Sequence, residues 1–164
     1  TPEQYLSTIN RRAKEYAGFN LLVGVGEELW YLSNNAGDEP LALEPGVYGL
    51  SNARLNTPWP KAELGRAKMT RLLSNETLSH SALVELVADK TLAERAKLDG
   101  GSAATAMDHL LSGQFIVGEH YGTRCTTSLW KTAQLTLHWQ ELSFDNRGAV
   151  THTYNQQFDI VPAD

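Results

Sequence analysis

The chain has 164 residues, 41% hydrophobic and 20% charged, which is enough for one domain with a sizeable core and too little for two ordinary ones. Its formal net charge is -5, and its 14 Lys and Arg form no basic run, which argues against a nucleic-acid or anionic-membrane surface as the main partner. The one cysteine, Cys125, excludes an intrachain disulfide and a multi-cysteine zinc site.

Thr1-Pro2-Glu3-Gln4 has the form of a helix start, with a hydroxyl cap, proline at the first helical position and an amide three residues after the cap. Apolar residues from Tyr5 to Tyr16 recur at helical spacing, and the helix is expected to end near Gly18. Phe19 to Val23 and Leu29 to Leu32 read as a β-hairpin closed by Gly24-Val25-Gly26-Glu27. A loop with Gly37-Asp38 and Pro40 leads to a third strand, Val47 to Leu50. Helices are expected over 61–73 and 78–88, with a short one over 91–97, and Gly100-Gly101-Ser102-Ala103 is the most linker-like stretch. Strands return over 123–130, 134–141 and 149–158, the last two joined by a hairpin turn at Asp145-Asn146-Arg147-Gly148. Hairpin-linked strands with helices inserted as a block predict an α+β domain of antiparallel sheets with helices outside.

No segment approaches the roughly 18 apolar residues of a membrane span, and Thr1-Pro2-Glu3-Gln4 is no signal peptide, so the chain is expected to be cytoplasmic and not transmembrane. It opens without methionine, as a processed product or the later part of a longer protein would.

The histidines, His80, His109, His120, His138 and His152, match no metal-binding spacing, so no metal site is predicted. His80 and His109 read as surface residues, and His120, beside Tyr121, is the better candidate for an axial haem ligand or a polar contact, the plainer alternative being an exposed loop histidine. Asn52 ends the second of two Leu-Ser-Asn tripeptides, ahead of the stiff Thr57-Pro58-Trp59-Pro60 turn. Its amide could polarise a carbonyl oxygen, or it could cap a strand by bonding its own backbone. Asn34, in the first copy, reads as structural. Arg124 either snorkels to solvent or is placed to bind a carboxylate or to steady a thiolate, and strand alternation turns Cys125 the other way, towards core packing if Arg124 faces a site. A terminal threonine can be a nucleophile, but Thr1 before Pro2 fits a helix cap better.

The stretches YAGFNLLVG (16–24), LSNNAG (32–37), PGVYGLSNARLNTPWPK (45–61) and YGTRCTT (121–127) together resemble the NRDE family, named for its Asn-Arg-Asp-Glu motif. Its animal members are called transport and Golgi organisation proteins. The resemblance runs from Tyr16 to Phe144 and implies an αββα sandwich like that of N-terminal-nucleophile hydrolases, of which 1–164 would be a single, partial domain. The family's cysteine after the initiating methionine and its Asn-Arg-Asp-Glu segment are not found here, so the chain corresponds to the later two thirds and an N-terminal segment of the same protein is an expected partner. Asn56 stands where the family often has aspartate, Thr126 where serine is common, and Leu142 where arginine often follows glutamate.

By similarity with cysteine amidases of the wider class, Asn52 would serve an oxyanion hole and Arg124 would lie beside the nucleophile in one cleft. The family is also implicated in moving haem and in acyl-CoA metabolism. The resemblance therefore implies haem or an acyl compound as ligand, with Tyr48, Trp59, His120 and Tyr121 as pocket residues.

Overall fold

Thr1 starts the chain's first helix, α1 (Pro2–Asn10), with the capping box expected of it: its Oγ1 accepts the Gln4 N–H at 3.3 Å and its nitrogen donates to Gln4 Oε1 at 3.1 Å. The helix stops earlier than its apolar spacing suggested, giving way to a 3-10 turn at Ala13–Glu15. The computed structural model describes residues 1–160 other than 36, 38, 76, 99 and 100, and divides into two compact units, Thr1–Thr57 and Pro58–Asp164. Asp38 and Gly100, the first in the predicted loop and the second in the predicted linker, lie outside the described residues.

In the first unit, β1 (Asn20–Val25) and β2 (Glu28–Ser33) form the predicted hairpin, with Val25 opposite Glu28 and Gly26 at φ 62° in the turn. The third strand is not Val47 to Leu50. It is β3 (Leu41–Ala42), paired antiparallel to β2, while 47–50 is irregular backbone. Helix α1 runs against the sheet, burying Leu6 and Leu32 completely, and its Pro2 and Tyr5 share a cleft with Val23, Val25 and Glu28. On the opposite face, in register with buried Tyr31, Leu22, Leu29 and Leu41 are exposed.

In the second unit, Trp59 begins α2 (Pro60–Asn75), its carbonyl accepting the N–H groups of Ala62 at 2.9 Å and Glu63 at 3.0 Å. Ser79 caps α3 (His80–Glu85), accepting the Ala82 N–H at 3.2 Å. The predicted helix over 91–97 is only a 3-10 turn, Arg95–Lys97, and Gly101–Ala103 forms another. A helix that the periodicity did not indicate, α4 (Ala106–Leu110), begins with a Thr105–Asp108 capping box.

Strands β4 (Cys125–Lys131), β5 (Thr136–Phe144) and β6 (Val150–Asp159) make an antiparallel sheet in sequence order. The β5–β6 turn is held by the Asp145 carboxylate, which accepts the N–H groups of Arg147 and Ala149, each at 2.9 Å, with Gly148 at φ 76°. The β4–β5 turn puts Leu135 at φ 62°. Register divides the sheet into two faces. Ser128 and Trp130 stand with His138, Gln140 and Leu142 on the side where α3 packs. On the other, Leu129, Tyr154 and Phe158 are 55%, 47% and 50% exposed, around Trp139. The chain is therefore α+β, with two antiparallel sheets, each carrying helix on one face.

Candidate functional site

Asn52 sits in a loop whose ends are tied together. Gly49 N–H donates to Asn56 Oδ1 at 2.9 Å and Asn56 N–H donates back to Gly49 O at 2.7 Å. Closing the loop turns Asn56 to φ 59°, a left-handed conformation that asparagine tolerates better than most residues. The sheet then fixes the loop from below. Tyr31 donates its hydroxyl to Asn20 Oδ1 at 2.6 Å and accepts the Leu55 N–H at 3.1 Å, while Asn20 Nδ2 donates to Ala53 O at 2.9 Å. These bonds tie down Gly49, Ala53, Leu55 and Asn56, and Asn52 itself is exposed. The Asn20–Tyr31 pair was not apparent in the sequence, because its residues read only as alternating strand positions.

The first Leu-Ser-Asn copy behaves differently. Ser33 ends β2, and Asn34 accepts the Phe19 N–H at 2.7 Å while donating to the carbonyls of Ala13 and Ala17 at 3.0 Å each, the structural role expected of it. The second copy ends no strand. Nearby Tyr48 is exposed, and its hydroxyl donates to Glu44 O at 2.7 Å.

His120 and Tyr121 occupy the tip of a second closed loop, in the other unit. Ile116 N–H donates to Thr123 Oγ1 and Thr123 N–H to Ile116 O, both at 2.9 Å. Two glycines permit the turn: a Cβ at Gly118 would lie 2.6 Å from Tyr121 O, and one at Gly122 would lie 2.9 Å from Ile116 O. Both His120 and Tyr121 are exposed, and so is Arg124, just ahead of β4, whose carbonyl accepts the Phe144 N–H at 2.9 Å. Cys125 does not pack in a core. It is exposed, because it lies on the sheet face opposite α3.

Trp59 is half-buried, with Lys61 Nζ 5.6 Å from its ring centroid and donating to Leu111 O at 2.7 Å. Burial holds the Lys61 ammonium below the ordinary lysine pKa.

His80 is not the surface residue expected. Its Nδ1 lies 2.7 Å from Ser128 Oγ and its ring packs on Trp130, with centroids 4.3 Å apart. His138 stacks on the same indole at 4.8 Å. Burial, then the charge of His138, holds the His80 pKa below the usual histidine value. The contact spans 48 positions, and nothing local in the sequence announces it.

Among the described residues, no group of three or more His, Cys, Asp and Glu could hold a metal ion, and no helix is long and apolar enough to cross a membrane.

Comparison with known proteins adds relatives to this geometry. A mouse protein named Transport and Golgi organization 2 homolog is 35% identical over 100 residues, covering 57% of this chain and 36% of its own length. A human Transport and Golgi organization protein 2 homolog is 29% identical over 136 residues, covering 75% of this chain and 49% of its own. A bovine protein of that name is 40% identical over 67 residues, 38% of this chain and 24% of its own. The chain thus spans at most about half the length of these curated relatives. The family model described as Transport and Golgi organisation 2 matches residues 1–146, most of the chain and all the motifs quoted above, and the chain belongs to that family.

Proposed function

We propose that this chain is part of an αββα sandwich of the N-terminal-nucleophile hydrolase type and that it handles haem as a cargo. The observation that carries the haem reading is the 116–123 loop, which holds an imidazole and a phenol exposed side by side, with the Arg124 guanidinium just beyond. His120 or Tyr121 supplies a donor atom for iron, and Arg124 supplies a cation of the kind that pairs with carboxylates such as haem propionates. Trp59, in the same unit as that loop, offers flat apolar surface to the ligand. The sandwich reading is supported within each unit separately, since each sheet carries helix on one face and apolar residues on the other, as one half of such a sandwich does.

A second reading rests on Asn52. An exposed carboxamide on a loop closed by Asn56 and braced by Asn20 and Tyr31 is the sort of preorganised donor that an oxyanion hole requires. In that reading the protein is a cysteine-dependent amide or thioester hydrolase or acyltransferase whose nucleophile lies outside these 164 residues.

Titrating haem into the protein while recording the Soret band separates the two. A saturable Soret shift, lost in the His120→Ala/Tyr121→Phe double variant and weakened in Arg124→Ala, supports haem handling. No shift in the wild type, with turnover of acyl-thioester or amide substrates that Asn52→Ala abolishes, replaces it with the hydrolase reading.

A further inference from the structure

The two loops do not use the cluster under α3. His80, the first residue of that helix, places Nδ1 2.7 Å from the Oγ of Ser128, which is 5% exposed. The imidazole lies against the Trp130 indole, and His138, the cross-strand partner of Trp130, stacks on that indole with 9° between planes. Helix α3 has six residues, too few to be stable without tertiary contacts, so its place on the sheet depends on what its side chains touch. We propose that this cluster is a proton-operated latch: with its imidazole uncharged, His80 holds α3 on the β4–β5 face, and its protonation in mildly acidic solution releases the helix.

A neutral imidazole can either accept from Ser128 or donate to it, whereas a protonated ring can only donate. Ser128 is too buried for water to replace a lost partner cheaply. The indole face attracts one imidazolium, but charging His80 and His138 together brings two like charges to one ring.

The surrounding groups do little to compensate. From β4 the neighbours are Ser128 and Trp130, from β5 His138 and Gln140, and from β6 Gln157, opposite His138. Glu85 of α3 borders the same groove as His80 and also lines a second cleft with Lys68 and Arg71 of α2, where Lys68 Nζ pairs with Asp89 at 3.3 Å. Among the described residues no carboxylate bonds either imidazole.

The sign of the pH effect follows. A His80 pKa held below its ordinary value near 6.5 means that docking is intact above that value and weakens as pH falls through the lower, folded one. Release would uncover Trp130 and Leu142 and leave apolar residues open on both sides of the sheet.

Hydrogen exchange of the 164-residue chain, read by mass spectrometry at pH 7.5 and 5.5 and corrected for intrinsic rates, tests the latch. Amides over 80–86 should lose protection at the lower pH, while β5 peptides keep theirs. His80→Gln, which still reaches Ser128 but cannot charge, should give equal protection at both pH values, and His138→Gln should shrink the acid effect. Equal wild-type protection at both pH values would overturn the proposal, as would acid loss persisting in full in His80→Gln or β5 opening in step with α3. If His80→Gln does not dock α3 at pH 7.5, His138→Gln decides alone, and an undiminished acid effect there overturns it.

Discussion

Asn56 does two separable things, and three substitutions take them apart. Its side chain closes the 49–56 loop by accepting the Gly49 N–H, and its backbone sits at φ 59°. Asn56→Ala removes the bond and places a Cβ-bearing residue in the left-handed region. The exposed hydrogen bond is worth about 0.5–1 kcal/mol and the left-handed backbone about 1 kcal/mol, so a loss of about 1.5–2 kcal/mol is expected. Asn56→Gly loses the same bond and frees the unfolded chain, but relieves the backbone, and should cost about 1 kcal/mol. Asn56→Asp keeps an acceptor for Gly49 N–H and should change little. The expected order, Asp above Gly above Ala, reverses the usual advantage of alanine over glycine. Thermal unfolding followed by circular dichroism should show it, at about 2–4 °C per kcal/mol for a chain of this size. Alanine as stable as glycine would refute the left-handed requirement, and unchanged stability in both would refute closure of the loop by the side chain.

Gly118→Ala and Gly122→Ala should each destabilise the protein by about 1–3 kcal/mol, because the added methyl meets backbone oxygen that cannot swing away; thermal unfolding at wild-type temperature for both would show that the loop relaxes freely. The Asp145 pKa lies below its ordinary value, chiefly through the Ala149 N–H, so its contribution to the β5–β6 turn is present above about pH 3.9 and is lost as pH falls through the lower folded value. Asp145→Asn should flatten that part of the acid stability curve, and a curve that keeps its slope would assign the effect elsewhere. Cys125 should react with a small thiol reagent in the native state, and labelling that waits on global unfolding would return it to a core.

Features written in adjacent residues were legible in the sequence. The Thr1–Gln4 capping box, the β1–β2 hairpin and the Asp145–Gly148 turn depend on neighbours within a few positions, and they form where expected. Val47 to Leu50 failed as a strand because β-forming residues need a partner edge, and β2 pairs instead with the two residues Leu41–Ala42. Alternation correctly separated Cys125 from its β4 neighbours Thr126 and Ser128, but it cannot say which face a helix will cover; α3 covers the other one. His80 was misread for a similar reason, since its serine neighbours in sequence suggested solvent and its actual partners come from β4 and β5. Of the two loops, the sequence singled out Asn52, His120 and Tyr121 as candidates but not the Asn20, Tyr31 and Asn56 bonds that shape the loop around Asn52.

The last strand has a practical consequence for anyone concentrating this protein. Val150 to Phe158 contains no Lys, Arg, Asp, Glu, Pro or Gly and includes Tyr154-Asn155-Gln156-Gln157-Phe158, amide and aromatic side chains of the kind that stack in register in cross-β fibres. In the order β4-β5-β6 this strand is an edge, so one row of its peptide groups faces outward, with no proline or lysine within the run to discourage a second chain from adding on. Slow, concentration-dependent thickening with thioflavin-positive fibrils is the expected ageing of a concentrated stock, and Gln156→Lys is the substitution to make first against it.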